Sequence, residues 1–337
     1  MRTLFIGGTK RGWLSLQALL KHSVELVGII SLRQDDHEVE RYESEIANLA
    51  VQHHIPCYET KWMKDQDYQT LIGTVLRPDI ALVVGCRILI SPAIYTLPKM
   101  GALAIHDSLL PQYRGFAPMN WSIINGEPHA GATLFYLSER MDAGDIVAQK
   151  TIPIHGRDTA PTVYDKICSA TVDLIDEAFP LLMQGIAPRI PQEERQSSYT
   201  CSRTPSDGLI DWKRPASEIH DLIRGLTYPY PGAFTFYAGE KLVIRSAEPL
   251  SNSPRYVGRI PGRVVAISQQ DGWVDVLTGE GVLRIREIGQ EDGSWGRPSA
   301  VIRSVRAKLG IDLQEVLHRL AYLERKVAML ESGCTVN

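Results

Sequence analysis

Short apolar runs alternate with longer stretches of mixed polarity through the first half of the chain. Residues 3–7, 24–30 and 80–85 are rich in Val, Ile and Leu and bounded by Gly or polar positions, the pattern of strands buried on both faces. Segments 14–20, 43–52 and 68–76 between them read as helices. This alternation predicts right-handed βαβ crossovers and a parallel sheet, which runs at 101–106, 132–137 and 146–154 extend. Ligands of such sheets bind beyond the carboxyl ends of the strands, so His106, at the end of one run, stands out. A long amphipathic helix is predicted over 160–183, followed by a polar, proline-punctuated stretch, 185–207, that marks a domain boundary. Beyond it, β-like runs at 232–237, 241–246, 262–268, 272–277 and 281–287, spaced by glycine turns, predict a small barrel or sandwich. Near the C-terminus, Val316, Leu320, Leu323, Val327 and Leu330 recur at steps of four and three, a heptad seam. So short a seam fits an oligomerisation helix and a helix packed on its own domain equally well. The expected organisation is a Rossmann-like, mostly parallel α/β domain over 1–190, a small β-barrel-like domain over 205–300, and a terminal helix over 311–331.

Composition narrows the classes. The chain has 337 residues, 44% hydrophobic and 22% charged, which is enough apolar content for two folded domains and argues against disorder. A net charge of -3 and a pI near 6.3 leave no global basic field to hold nucleic acid by phosphate neutralisation. Cys57, Cys86, Cys168, Cys201 and Cys334 are scattered without a CxxC pair. That argues against a zinc site or a disulfide framework and fits a reducing cytoplasm. No apolar run approaches the roughly 20 residues needed to span a bilayer, and the first apolar stretch is too short for a signal peptide. His53-His54 reads as a helix end, where histidine favours the dipole, rather than as a metal site.

Candidate chemistry concentrates in His106-Asp107-Ser108-Leu109-Leu110-Pro111-Gln112-Tyr113-Arg114-Gly115, followed by Gly131-Ala132-Thr133 and Asp142-Ala143-Gly144. A histidine near a carboxylate can act as a general base, the carboxylate fixing its tautomer and raising its basicity. The same residues also fit a hydrogen-bonded core histidine and an Asx turn. The ordered identities and their spacing resemble the folate-dependent formyltransferase family, over essentially residues 1–290. That family includes methionyl-tRNA formyltransferase and the enzymes that formylate amino-sugar nucleotides. Tyr230-Pro231-Gly232-Ala233-Phe234 and the stretch 276–285 are similar to its second domain.

The resemblance implies that His106 and Asp142 are catalytic and that N10-formyltetrahydrofolate is the cosubstrate, with no metal. It implies that Cys86, Arg87, Ile88, Leu89 and Ile90 line the pterin. It further suggests that Ser108, Leu109, Leu110, Pro111, Arg114 and Asn120 meet the second substrate, with Arg114 on a diphosphate. Lys10 and Arg11 are expected near the acidic tail of folate. The family's third catalytic residue, an asparagine two positions before the histidine, is Ala104 here. An oxyanion donor would then have to come from Asn120, the Ser108 hydroxyl or a backbone N–H, because losing one donor typically costs about 10²–10³ in rate.

Charge bears on the acceptor. The segment after the second predicted strand carries Asp35, Asp36, Glu38, Glu40, Glu43 and Glu45 against Arg33 and Arg41, a face that repels phosphate. Residues 201–337 hold 18 Lys plus Arg and 16 Asp plus Glu, a balance of +2. The expected acceptor is therefore a primary amine on a small molecule: an amino sugar on a nucleotide carrier, or a natural-product amine. Two alternatives stand beside it: a methionyl-tRNA formyltransferase, and a non-catalytic folate binder or an enzyme moving another one-carbon or acyl group. No nucleic-acid or membrane partner is expected, and the terminal helix leaves a homo-oligomer open as one of its two readings.

Overall fold

In the computed structural model, residues 1–34, 40–289 and 294–331 are described. The chain forms two compact units, Met1–Thr204 and Pro205–Asn337. Asp35, Asp36, Glu38 and Cys334 lie outside the described residues.

Strands β1 (Arg2–Gly7), β2 (Glu25–Leu32), β3 (Cys57–Thr60), β4 (Ile80–Val84) and β5 (Ala102–His106) of the first unit are parallel neighbours in the order β3-β2-β1-β4-β5. A two-residue strand, β6 (Arg114–Gly115), precedes β7 (His129–Tyr136) and β8 (Ile146–Pro153), which extend the sheet antiparallel beyond β5. Apolar periodicity locates these strands but carries no direction. The chain turns back because the connection from β5 to β7 has no long crossover helix to return it to the starting edge. The middle strands are buried on both faces: Leu4, Phe5, Ile6, Ile29, Ile30, Leu82 and Val84 are almost wholly shielded.

Helices α1 (Thr9–Lys21), α2 (Glu43–Gln52), α3 (Asp65–Thr70), α4 (Pro92–Tyr95), α5 (Pro118–Ile124) and α6 (Ala160–Met183) complete the unit. The helix predicted over 68–76 is two pieces: α3 runs into π-helical turns at Leu71–Leu76, which end at Arg77 in a left-handed conformation (φ 45). The α1 helix starts five residues earlier than its apolar pattern implies, directly after Gly8. Gly7 is required there by packing, since a Cβ on it would lie 2.2 Å from the Val84 carbonyl oxygen. The pair Gly7-Gly8 thus makes a tight strand-to-helix turn.

The stretch 185–207, expected as a boundary, does more than tether. Ile190 bridges Ile146 in β8, and β9 (Tyr199–Thr200) pairs in parallel with β6. The Trp121 indole N–H donates to the Cys201 carbonyl (2.9 Å). Residues 190–201 are therefore built into the first unit.

The second unit contains α7 (Ala216–Gly225) and an antiparallel sheet of β10 (Ala233–Tyr237), β11 (Glu240–Pro249), β12 (Val264–Ile267), β13 (Val274–Leu277), β14 (Val282–Gly289) and β15 (Trp295–Gly296). The order is β10-β11-β14-β13-β12, with β15 on β14. The sheet edges are joined by residues 307–310. Ala307 accepts from the Val264 N–H (3.0 Å), while Gly310 donates to Phe236 (2.8 Å). Those bonds make the unit barrel-like. A short α8 (Pro298–Val301) and the terminal α9 (Leu313–Glu331) follow. Among the described residues, no helix is long and apolar enough to cross a membrane.

Candidate active site

His106 is the last residue of β5, and the Cys86–Ile90 loop leaves the adjacent β4 at the same sheet edge. The two features thus share the carboxyl end of the sheet. Next to them, the strand order reverses between β1 and β4, the place where open α/β sheets leave a crevice. A cleft there is lined by Gly8, Thr9, Arg33, Lys61, Gly85 and Arg87, among others.

The imidazole of His106 is held by its Nε2, 2.8 Å from the Tyr113 carbonyl oxygen. A carbonyl can only accept, so Nε2 carries the hydrogen, and in the neutral ring Nδ1 bears the lone pair. Nδ1 faces Asp142 Oδ2 at 3.7 Å. Tyr113 adopts a left-handed conformation (φ 59), which turns its carbonyl onto the ring. Asp142 is also left-handed (φ 51), a conformation that aspartate tolerates better than most residues. Its Oδ2 accepts from the Gly115 N–H at 2.8 Å. Burial pushes the His106 pKa below the ordinary imidazole value; the Asp142 charge pushes it back up, and the Arg11 charge pushes it down. The site therefore offers a neutral imidazole with one free basic nitrogen and a carboxylate beside it to receive positive charge.

The glycines and threonine of the downstream motif have structural reasons. A Cβ on Gly131 would lie 2.4 Å from both Leu109 Cδ2 and the Lys150 carbonyl oxygen. A Cβ on Gly144 would lie 1.8 Å from the Tyr136 oxygen. Thr133, opposite His106 in the β5–β7 pairing, donates its hydroxyl to the Ser108 carbonyl (2.6 Å). The same oxygen accepts from the Leu110 N–H (3.1 Å) and from Gln149 Nε2 (2.9 Å). The hydroxyl is thus saturated, and it ties the loop after His106 to the sheet.

That bracing revises several expected substrate contacts. Ser108 is buried and donates its hydroxyl to the Gln112 carbonyl at 2.7 Å, so its one hydrogen is not free for an oxyanion. Leu110 lies in a small core cluster with Phe135 and Ile146. Leu109 and Pro111 are half-buried, Leu109 against Gly131. Asn120 is buried within α5. Arg114, expected on a diphosphate, is fully buried. Its guanidinium donates to Gln192 Oε1 (2.8 and 3.1 Å), Glu194 Oε2 (3.1 Å) and the Tyr199 hydroxyl (2.9 Å). Arg11 is paired with Asp107 and Lys10 with Asp165, so both cations expected near a folate tail have internal carboxylate partners.

Gln192 is the residue that sequence reasoning missed. Its amide nitrogen donates to the carbonyls of Asp142 (2.8 Å) and Gly144 (2.7 Å), while its oxygen takes Arg114. It therefore shapes the turn that presents Asp142. It sits in the polar stretch read as a boundary, and no periodicity marks it. Replacing Arg114 with Met should destabilise the first unit by about 3 kcal/mol, because the Gln192 oxygen loses its donor and the polar cluster its charge. Chemical denaturation of the parent and variant reads this directly; a change under about 0.5 kcal/mol, the range of an ordinary surface substitution, would refute the bracing role.

Within the Cys86–Ile90 loop, expected to line the pterin, Ile88, Ile90 and Cys86 pack on the same apolar cluster as Ala104 and Leu137. Burial pushes the Cys86 thiol up to about 11, so it remains a neutral thiol. Leu89 projects outward, 80% exposed, and Arg87 is exposed beside the cleft. Ala104 pairs with Phe135, whose ring meets the His106 ring edge-on at 6.4 Å. Position 104 thus shares the face of His106 and presents only a methyl group.

The family described as formyl transferase matches over residues 1–178, and its C-terminal domain over residues 203–306. Among solved structures, the chain is similar to the N-formyltransferase from Helicobacter canadensis in complex with folinic acid and dTDP-3-aminofucose. The identity is 18%, the TM-score 0.62, and the match covers 85% of this chain and 98% of that one. HypX from Aquifex aeolicus, in complex with tetrahydrofolic acid, is 19% identical with a TM-score of 0.59 over 89% of this chain. The chain spans about half of HypX, 46% of its length. Methionyl-tRNA formyltransferase from Clostridium thermocellum is 17% identical, with a TM-score of 0.51 over 75% of this chain and 96% of that one.

Proposed function

The chain belongs to the formyl transferase family, and from that premise we propose that it transfers a formyl group from N10-formyltetrahydrofolate to a primary amine, an amino sugar on a nucleotide carrier being the first choice. The observation that carries the reading is the state of His106. Its Nε2–H is committed to a carbonyl, and its Nδ1 is left basic beside Asp142 at the sheet's carboxyl edge. The acceptor amine attacks the formyl carbon, forming a C–N bond and a tetrahedral intermediate. His106 Nδ1 takes the proton that the amine sheds, and Asp142 stabilises the imidazolium. As the bond from carbon to N10 breaks, the proton passes to N10, and tetrahydrofolate leaves. The Cys86–Ile90 loop holds the pterin through its backbone edges and the side chains of Ile88 and Ile90.

Charge supports a small acceptor. The described acidic residues Glu43 and Glu45 lie in the first turn of α2 and Glu40 shortly before it, and the second unit's sequence has no basic excess suited to transfer RNA. The Helicobacter canadensis neighbour with dTDP-3-aminofucose supports a nucleotide-linked amino sugar. The test is release of tetrahydrofolate in the presence of a panel of amino-sugar nucleotides and of charged initiator transfer RNA. Turnover with one sugar nucleotide should change little between about 50 and about 200 mM salt, whereas phosphate-driven binding of a transfer RNA would fall by orders of magnitude. Turnover with transfer RNA alone would overturn the acceptor. Folate binding without turnover on any amine would make the chain a binder with a site disabled at Ala104.

A further inference from the structure

We propose that α9 pairs with α9 of a second copy of this chain as a parallel, in-register two-stranded coiled coil. Every described side chain from Leu313 to Leu330 is exposed, so the helix lies on no surface of its own unit. Leu313, Val316, Leu320, Leu323, Val327 and Leu330 are between 43% and 66% exposed. An apolar stripe of that length left in water calls for a partner. Its geometry says which kind. In heptad terms Leu313, Leu320 and Val327 take a positions, and Val316, Leu323 and Leu330 take d positions, with no break in register. A stripe of this shape fits a copy of itself.

Charge then selects the orientation. The flanking g positions are Arg319 and Lys326, and Glu324 occupies the e position between them. In a parallel coil, g of one helix meets the following e of the other, so Arg319 faces Glu324 of the partner helix, twice by symmetry. An antiparallel coil sets g against g and would oppose arginine and lysine. The other apolar residue on the flank, Leu317 at e, widens the stripe on the same side.

The experiment uses the full chain. Sedimentation at about 1 to about 100 µM should show a dimer that dissociates on dilution, because an isolated helix pair of under three heptads is marginal. Leu323→Asp should leave a monomer with unchanged formyl transfer. Arg319→Glu alone and Glu324→Arg alone should each weaken the dimer roughly tenfold, since each sets like charges opposite one another. Mixed in equal amounts, the two single variants should form a heterodimer of parental strength, because both cross-pairs become complementary again. A parent chain monomeric at every concentration overturns the proposal. So does a dimer that survives Leu323→Asp, or a mixture no tighter than its components.

Discussion

Replacement of His106 by Gln is expected to lower kcat/KM for formyl transfer by about 10³, within the span typical of a lost general base. The substitution is chosen to isolate the base. A glutamine amide reaches the position of Nε2 and can still donate towards the Tyr113 carbonyl that holds the ring in the parent, so the loop 107–115 keeps its anchor. The fully braced Thr133 keeps the rest. What disappears is the lone pair at Nδ1. Folate binding, measured by fluorescence or calorimetry, should change by less than about threefold, because the Cys86–Ile90 loop leaves a different strand and packs on an apolar cluster that His106 does not join. A variant that turned over within tenfold of the parent would remove His106 from the proton path. A variant that lost folate binding along with turnover would place His106 in the folate pocket instead.

The sequence and the structure agree on His106 and Asp142 as neighbours, and the reason is instructive. The strand run ending at 106 and the turn around Gly144 were both visible as local patterns. Their meeting depends on β7, whose antiparallel return brings the 142 turn back over β5. Parallel strand periodicity gives no hint of that reversal. Ser108, Leu110 and Arg114, expected at the second substrate, make internal contacts instead for a common physical cause. A loop rich in polar side chains looks like a ligand surface, but a loop that must hold a histidine and an aspartate in place consumes its polar atoms internally. Arg114 is the clearest instance: the chain buries a full guanidinium in order to hold Gln192 against the Asp142 turn. Gln192 itself was illegible because its work is done by tertiary contacts 50 and 48 residues away in sequence. The terminal helix shows the opposite case, since its heptad pattern is plain in sequence and only the structure shows that its described side chains are exposed.

Asp142→Asn makes the second large prediction, and its sign distinguishes an electrostatic role from a merely structural one. In the parent, burial holds His106 below the ordinary imidazole value of 6.5, against the upward pull of Asp142. The active form is the neutral imidazole, so activity is fully present above the His106 pKa and is lost as pH falls through it. The acid limb of kcat/KM in the parent should therefore lie below pH 6.5. Asparagine retains an oxygen at the Oδ2 position for the Gly115 N–H, but not the charge that faces Nδ1. With the upward pull gone, the acid limb should move to still lower pH. The plateau should fall by about 10², because the imidazolium formed during transfer has lost its counter-charge. These two shifts run in opposite senses, one extending activity towards acid and the other lowering it at every pH. An acid limb that stayed in place, or rose, while the plateau fell would mean that Asp142 acts only by holding the turn, and that the proton accepted from the amine is stabilised elsewhere.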